Sequence, residues 1–300
     1  MNPKRIFLQI PEGLKPKAQE LAKSLEKTGA KVFLSIEPCY GGCDIRDSEA
    51  ERLGCDLIVH VGHSDFGIKT RVPVIYEEYR TEFDPVPVLE REIKIFEGFK
   101  SIGLITTVQY LSSLDKAKKF LEKHGKKIYI GKPRLAKYPG QILGCDYSSA
   151  KSVENLVDCY LYIGTGEFHP LGLAMETEKP VFFLNAESGK IKRLETKKYR
   201  ILRALQVEKA KEAKNFGIFV STKPGQARPE LAERLKNMLE IAGKNVWILV
   251  ADEISKAKLL GLNIEVIVNT ACPRIRDDWK ALGITVINPE DVEEVVKEKV

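Results

Sequence analysis

Three cysteines in this sequence lie in glycine- or proline-bearing segments that each follow a hydrophobic, strand-like run. They are Cys43 in Pro38-Cys-Tyr-Gly-Gly-Cys-Asp44, Cys145 in Gly140-Gln-Ile-Leu-Gly-Cys-Asp146 and Cys272 in Asn269-Thr-Ala-Cys-Pro-Arg274. Thiolates are the ligands that hold iron–sulfur clusters in proteins. Three thiolates on a four-iron cluster would leave one iron open to a further ligand. The residues alone do not decide between this cluster and three unrelated buried thiols.

The other three cysteines carry weaker signals. Cys39 and Cys43 fit the first half of the motif C-x-x-x-C-x-x-C, which holds the cluster of common radical S-adenosylmethionine enzymes, but Arg46 occupies its third position. No C-x-x-C pair predicts a zinc ribbon. Cys55 and Cys159 each open a predicted strand, where we expect a small buried hydrophobic residue. For Cys39, a core thiol, a redox neighbour of Cys43 and a metal ligand all stay open.

The elements that must position these loops alternate between strands and helices, which predicts an α/β fold with parallel sheets. The pattern occurs three times, with four predicted strands in each set, so we predict three similar modules that present equivalent strand-end loops. Their ranges are residues 1–96, 97–208 and 209–300, with the loops of Cys43, Cys145 and Cys272 in that order. Glycines stand at the expected stop position after three predicted helices, since glycine is common just after a helix; they are Gly29, Gly125 and Gly243.

Composition excludes several classes of protein. The 300 residues are 43% hydrophobic and 30% charged, which is ordinary for a globular chain with a large core. The net charge of +6 is spread along helices rather than gathered in a nucleic-acid groove. No apolar run approaches the roughly 20 residues that a membrane span needs, and the first residues do not resemble a signal peptide. We therefore expect a soluble cytoplasmic protein without membrane or direct nucleic-acid partners.

Several short segments, in order along nearly the whole chain, resemble the signature segments of the diphthamide biosynthesis enzymes. They are Pro11-Glu-Gly-Leu14, Tyr40-Gly-Gly-Cys-Asp44, His60-Val-Gly-His-Ser64, Gly140-Gln-Ile-Leu-Gly-Cys145, Gly166-Glu-Phe-His169 and Ala271-Cys-Pro-Arg274. The resemblance is to the archaeal 2-(3-amino-3-carboxypropyl)histidine synthase family, and it favours the cluster interpretation of the three cysteines.

This resemblance implies a fold, a cofactor set and a reaction. The fold is three α/β modules, each a four-stranded parallel sheet flanked by helices, in a pseudo-threefold arrangement, and the protein is a homodimer. Cys43, Cys145 and Cys272 hold one 4Fe–4S cluster, whose open iron binds S-adenosylmethionine. A one-electron reductant then drives release of a 3-amino-3-carboxypropyl radical. The radical adds to C2 of a histidine in translation elongation factor 2, the first step towards diphthamide, and 5′-methylthioadenosine is the other product.

Polar residues in the same strand-end segments are predicted to bind S-adenosylmethionine. Its carboxylate requires cations or N–H donors, so Arg274 is the first of these residues; the others are Lys223, Gln226, Glu12, Gln9 and Gln141. A base must accept the proton that leaves the imidazole, and His63 and His169 are the tentative choices. Surface charge for Arg274, helix capping for Glu12 and a structural role for each histidine are the competing interpretations.

Three other functions compete with this interpretation. An iron–sulfur dehydratase similar to quinolinate synthase also combines three α/β modules with three cysteines, but Tyr40-Gly-Gly-Cys43 and Ala271-Cys-Pro-Arg274 favour the diphthamide enzymes. A non-catalytic, cluster-bearing partner subunit is a second alternative, against which the presence of all three motif cysteines argues. A sugar- or nucleotide-binding module with incidental cysteines is the third.

Overall fold

The computed structural model describes residues 3–297 and contains three separate β-sheets, as the repeated pattern predicts. The first sheet is wholly parallel, and its four strands are β1 (Arg5–Gln9), β2 (Lys31–Leu34), β3 (Leu57–Val61) and β4 (Val74–Glu77). Their order across the sheet is β2-β1-β3-β4. The chain therefore reverses its direction of winding between β1 and β3, which is where sheets of this kind bind ligands at the carboxyl ends of their strands.

The second sheet repeats this order and adds a fifth strand. Its strands are β5 (Ser101–Thr106), β6 (Lys127–Tyr129), β7 (Cys159–Gly164), β8 (Val181–Asn185) and β9 (Lys190–Arg193), in the order β6-β5-β7-β8-β9. β9 runs antiparallel to β8, so the prediction of four parallel strands is wrong for this module. The strand was missed because Ile191 is its one buried side chain and lysines or arginine occupy its other positions.

The third sheet is again four-stranded and parallel. It consists of β10 (Asn215–Ser221), β11 (Asn245–Ala251), β12 (Val266–Asn269) and β13 (Thr285–Ile287), in the order β11-β10-β12-β13. Its strands β10 and β12 are almost completely buried, as expected for strands covered by helices on both faces.

The helices alternate with these strands. They are α1 (Ala18–Glu26), α2 (Asp47–Arg52), α3 (Val86–Glu92), α4 (Leu111–Lys123), α5 (Ser148–Lys151), α6 (Phe168–Glu176), α7 (Lys197–Glu212), α8 (Pro229–Ile241), α9 (Lys256–Leu259), α10 (Trp279–Leu282) and α11 (Pro289–Val296). The three predicted helix-ending glycines follow α1, α4 and α8 with φ of +90°, +76° and +76°. A residue with a side chain rarely adopts this backbone conformation, so the prediction is confirmed. Among residues 3–297, no helix is both long enough and apolar enough to cross a membrane.

Two of the cysteines belong to the hydrophobic cores. Cys159 is completely buried beside Leu104 and Leu161, and Cys55 is buried beside Phe7 and Ile58. Burial raises the pKa of the Cys159 thiol to about 12, and burial also raises the pKa of Cys55. Both thiols therefore stay protonated at neutral pH, and the prediction that they are small buried hydrophobic residues is confirmed.

The chain folds into two compact units. The first ends at Thr196 and contains the first two sheets, and the second begins at Lys197 and contains the third. Helix α7, across which the predicted boundary near residue 208 falls, belongs to the second unit. The division into three modules, which follows the three sheets, stays a prediction.

Candidate functional site

Cys43 lies in a tight loop that leaves no room for a side chain at Gly42. The backbone N–H of Asp44 donates to the carbonyl of Gly41 (3.0 Å), and the Asp44 carboxylate accepts from the N–H of Tyr40 (3.2 Å). A Cβ atom on Gly42 would lie 2.5 Å from the carbonyl oxygen of Ser64, and one on Gly41 would lie 3.3 Å from the Cys43 sulfur. The loop therefore holds Cys43 half-buried against the segment that follows β3.

This packing predicts that Gly42→Ala distorts the loop and lowers the iron content of the protein. The contact is with backbone rather than with a flexible side chain, so the loop itself must move. Iron and sulfide analysis after anaerobic purification measures the effect. Gly13→Ala is the matched control, because a Cβ there meets no atom within 4 Å. Equal iron content in the two variants would contradict the assignment of Cys43 as a ligand.

Cys145 occupies the exposed corner of a second turn. The backbones of Leu143 and Asp146 donate to each other across this turn (2.9 and 3.3 Å). Burial acts to raise the pKa of the Asp146 carboxyl, but hydrogen bonds from Ser148 and from the N–H groups of Leu135 and Ala136 outweigh it and lower the pKa. The ionised carboxylate thus holds the turn against Leu135 and Ala136, and Cys145 is exposed, where a metal can reach it.

Ser64 connects the two cysteine loops of the first unit. Its carbonyl oxygen packs against Gly42, and its hydroxyl accepts a hydrogen bond from Gln141 Nε2 (2.8 Å). Gln141 Oε1 accepts in turn from the N–H groups of Lys137 and Tyr138 (3.2 and 3.1 Å). Ser64 and Gln141 are each 1% exposed. A single buried serine therefore contacts both loops, and Gln141, predicted to bind cofactor, lies between them with both ends of its amide in use.

A buried polar network lies behind the Cys43 loop. Gln9, at the end of β1, donates through Nε2 to the carbonyl of Asp44 (2.6 Å), and its Oε1 accepts from the N–H of Arg46 (3.3 Å). The same Oε1 lies 3.5 Å from Nδ1 of His60, and Nε2 of His60 lies 3.0 Å from Nδ1 of His63. Burial lowers the pKa of His60 to about 3, with a smaller contribution from His63, and burial lowers the pKa of His63 to about 4. Both rings are therefore neutral at pH 7.

Tyr76 is a polar group at this place that sequence reasoning missed. It pairs in register with His60, as Gln9 does from the other side, and its ring centroid lies 5.4 Å from that of His60. Its buried hydroxyl makes no hydrogen bond to any described residue. Burial raises the pKa of Tyr76 to about 12, with smaller contributions from Asp65 and Cys43. The available signal was a polar residue near the end of three of the four predicted strands of this module, the first, third and fourth.

Glu12 and His169 are the remaining predicted residues of the first unit. Glu12 opens a 3-10 turn, Glu12–Lys17, and forms an ion pair with Lys15 (2.5 Å); Pro11 rather than Glu12 occupies the capping position. His169 was expected in a loop but lies in the first turn of α6, where it is half-buried against the edge of Phe168.

In the second unit, Cys272 follows β12 after Thr270 and Ala271. Its carbonyl accepts from Asn269 Nδ2 (2.8 Å) and from the N–H of Ile275 (3.0 Å). The expectation of equivalent loops is wrong here, because Cys272 follows the third strand of its sheet, whereas Cys43 and Cys145 follow the second strands of theirs. Cys145 also lies far beyond the end of β6 at Tyr129, so the prediction of a short loop just after a strand is wrong for this cysteine.

Arg274 and Lys223 surround Cys272 with positive charge. Burial raises the pKa of the Cys272 thiol, while the N–H of Arg274 and the charges of Arg274 and Lys223 act to lower it. Arg274 also pairs with Asp277 (2.8 Å), and the buried Lys223 pairs with Glu253 (3.1 Å). Two predicted site residues of the second unit, Arg274 and Lys223, thus act on the third, Cys272.

Gln226 is buried in the same segment, and its N–H donates to the carbonyl of Lys223 (2.9 Å). This bond closes the turn that follows β10, so Lys223 and Gln226 belong to one compact segment. Glu253, which follows β11, is the partner of Lys223 in this segment. The sequence did not predict a role for Glu253, because acidic residues are common after strands.

Asn288 is expected to support the Cys272 loop. Its Oδ1 accepts from Asn269 Nδ2 (3.1 Å), and its Nδ2 donates to the carbonyl of Pro273 (3.1 Å). Asn288→Ala removes both bonds and leaves the Pro273 carbonyl without this donor, so we expect the free energy of unfolding to fall by about 1–3 kcal/mol, measured by urea denaturation. The exposed Asn263 provides the control variant, Asn263→Ala; a similar loss in both would contradict this role.

The family model of diphthamide synthesis proteins matches residues 10–300. The chain belongs to this family. It is 38% identical over 294 residues to the 2-(3-amino-3-carboxypropyl)histidine synthase of Pyrococcus horikoshii, covering 97% of this chain and 85% of that protein. The enzyme of the same name from Methanocaldococcus jannaschii is 30% identical over 312 residues, with 97% and 83% covered.

A solved member of the diphthamide synthesis family has the same fold. The crystal structure of Dph2 from Pyrococcus horikoshii with a 4Fe–4S cluster matches with a TM-score of 0.93 and 37% sequence identity, covering 99% of this chain and 88% of that chain. The expected family, and the α/β fold with three sheets, are thereby confirmed. The family match argues against the quinolinate-synthase-like alternative and against a simple binding module.

Proposed function

We propose that this protein is a 2-(3-amino-3-carboxypropyl)histidine synthase, the transferase of the first step of diphthamide biosynthesis. The observation that carries the proposal is its likeness, over nearly the whole chain, to enzymes of that name together with the cysteine-bearing loops described above. The protein acts on a histidine of translation elongation factor 2 in the cytoplasm, works as a homodimer and takes electrons from a one-electron reductant.

Cys43, Cys145 and Cys272 are the proposed ligands of a 4Fe–4S cluster. Soft thiolates suit such a cluster, and the accessible Cys145 and half-buried Cys43 lie on loops that contact the same buried serine. These residues would hold the cluster, which, once reduced and with S-adenosylmethionine bound, would supply the electron for release of the 3-amino-3-carboxypropyl group; this group is transferred to C2 of the histidine, with 5′-methylthioadenosine as the other product. The loops keep the thiolates in place.

Arg274, Lys223 and Gln226 are the proposed contacts for the amino-acid end of S-adenosylmethionine. A carboxylate binds most strongly to cationic donors in a partly desolvated place, and Arg274 and Lys223 are both largely buried. Their charges act on the Cys272 thiol, so a carboxylate bound to them would lie near a cluster ligand. Glu253, the partner of Lys223, is an acceptor for the ammonium group.

The other predicted residues keep lesser roles in the proposal. Gln9 and Gln141 use both ends of their amides within the protein, so a direct contact with cofactor would have to replace one of these bonds. Glu12 is exposed and is proposed as a contact for the ammonium or a ribose hydroxyl. His63 and His169 are the proposed proton acceptors; His63 is neutral at pH 7, as a base must be before it acts.

The experiment supplies the anaerobically purified, chemically reduced protein alone with elongation factor 2 and S-adenosylmethionine. We expect release of 5′-methylthioadenosine and a mass gain of one 3-amino-3-carboxypropyl group on a histidine of the factor, both by mass spectrometry. A protein that carries iron but modifies the factor only after another subunit is added would be a non-catalytic partner subunit. Quinolinate formation would indicate the dehydratase instead.

A further inference from the structure

Three side chains near the Cys43 loop present metal-binding atoms to one another. Cys39 and His60 are buried and His63 is half-buried, and their sulfur and ring nitrogen atoms all lie within 4.8 Å of each other. They come from two segments, the loop after β2 and the end of β3 with the residues that follow it. None of the three is among the cysteines proposed for the cluster, and His60 and Cys39 have no part in the proposed reaction.

The distances between these atoms are close to those of a tetrahedral zinc site. With Zn–N bonds of 2.0–2.1 Å and a Zn–S bond of 2.3 Å, tetrahedral ligands lie about 3.3 Å apart for two nitrogens and about 3.6 Å apart for nitrogen and sulfur. His60 Nε2 lies 3.0 Å from His63 Nδ1 and 3.9 Å from Cys39 Sγ. Shifts of a few tenths of an ångström bring both distances to these values. The third pair, Cys39 Sγ and the ring nitrogen of His63, lies at most 4.8 Å apart and must approach for the three atoms to bind one ion.

Gln9 supplies the outer support that metal-bound histidines have. Its Oε1 accepts from the N–H of Arg46 and is therefore an acceptor towards His60. His60 must then carry its proton on Nδ1, which leaves the lone pair of Nε2 directed at Cys39 and His63. A histidine that binds metal through one nitrogen and donates from the other to an oxygen is the usual arrangement, and loss of such support costs about 10–100-fold in metal affinity.

Binding of a divalent metal ion to these three side chains would release one proton. His60 already has the required tautomer. His63 must carry its proton on Nε2 instead of Nδ1, which is a change between two neutral forms, and the Cys39 thiol must lose one proton to solvent. One thiolate and two neutral imidazoles leave a net charge of +1 on a bound divalent ion, and one coordination position stays open for water. The mixed sulfur and nitrogen set suits zinc better than magnesium or calcium.

We propose that Cys39, His60 and His63 form a mononuclear zinc site, supported by Gln9 and separate from the cysteines of the cluster. This site does not depend on the proposed transferase function. A zinc-bound His63 would be a structural ligand, and the role of proton acceptor would then belong to His169. Because the loop of Cys39 also carries Cys43, bound zinc would hold that loop against the end of β3.

The test uses the anaerobically purified protein with its cluster intact, loaded with one equivalent of zinc and dialysed. Metal analysis gives the zinc retained per chain, and zinc-edge X-ray absorption gives the atoms around it without interference from iron. We expect about one zinc per chain with one sulfur near 2.3 Å and two nitrogens near 2.0 Å. In Cys39→Ser the sulfur should disappear from the zinc shell, while the iron content stays unchanged. Zinc affinity should fall at least tenfold, because loss of a residue that only supports a metal ligand already costs that much.

Cys55→Ala is the matched control, because it also removes one buried thiol of the first unit, and it should retain zinc. Failure of the unchanged protein to retain zinc would overturn the proposal. A zinc shell with two or three sulfurs would also overturn it, because zinc would then occupy the cluster cysteines. Iron content and 5′-methylthioadenosine release are measured on the same samples, so failure of the zinc site and failure of the transferase proposal give different results. The thermal midpoint of each variant reports whether it is folded.

Discussion

Cys145→Ala is expected to lose most of its iron while the protein stays folded. Cys145 is exposed at the corner of its turn, and the turn is held by backbone bonds between Leu143 and Asp146 rather than by the thiol. Removing the sulfur therefore removes a ligand with little effect on the structure. Loss of an outer-shell partner alone costs about 10–100-fold in metal affinity, so loss of a ligand should cost at least that. Iron and sulfide analysis and the visible spectrum measure the effect.

The same loss of iron is expected for Cys43→Ala and Cys272→Ala. Cys272 is more buried than Cys145, so its replacement should also lower the free energy of unfolding. Cys55→Ala and Cys159→Ala are the controls, since both thiols lie in hydrophobic cores. Cys159→Ala should lower the free energy of unfolding, because it leaves a small cavity, and yet keep its iron. If all five variants bind equal iron, the assignment of the three ligands is wrong.

Arg274→Ala is expected to weaken binding of S-adenosylmethionine while iron content stays at the level of the unchanged protein. The guanidinium is largely buried beside Cys272, and a hydrogen bond to a charged group contributes about 1.5–3 kcal/mol. The dissociation constant should therefore rise about tenfold to a hundredfold. Equilibrium binding to the cluster-loaded, unreduced protein measures this constant without turnover.

Arg274→Lys and Lys280→Ala complete this experiment. Lysine keeps the charge but loses the paired donors of the guanidinium, so Arg274→Lys should lie between Arg274→Ala and the unchanged protein. Lys280 lies on the exposed side of α10, and its removal should leave the affinity unchanged. An Arg274→Ala protein that binds S-adenosylmethionine normally would show that the arginine serves Asp277 and the structure alone.

Regular elements were predictable because their signals are local. Alternating strands and helices, and glycines at helix ends, depend on residues close together in the chain, and the three sheets follow from them. The missed strand β9 shows the limit. It forms because it pairs with β8 and buries Ile191. This is a tertiary contact, and a segment of four mostly charged residues gives no local signal that predicts a strand.

Residue types and local pattern determined the fold class of this protein, the buried character of Cys55 and Cys159, and the family to which its motifs point. Tertiary structure alone decided which polar side chains meet. The register of β1, β3 and β4 brings Gln9, His60 and Tyr76 into one row, and Ser64 contacts both Gly42 and Gln141. Register is set by which face of each strand is buried against a core. Such contacts join residues far apart in the chain, and no spacing within the sequence encodes them.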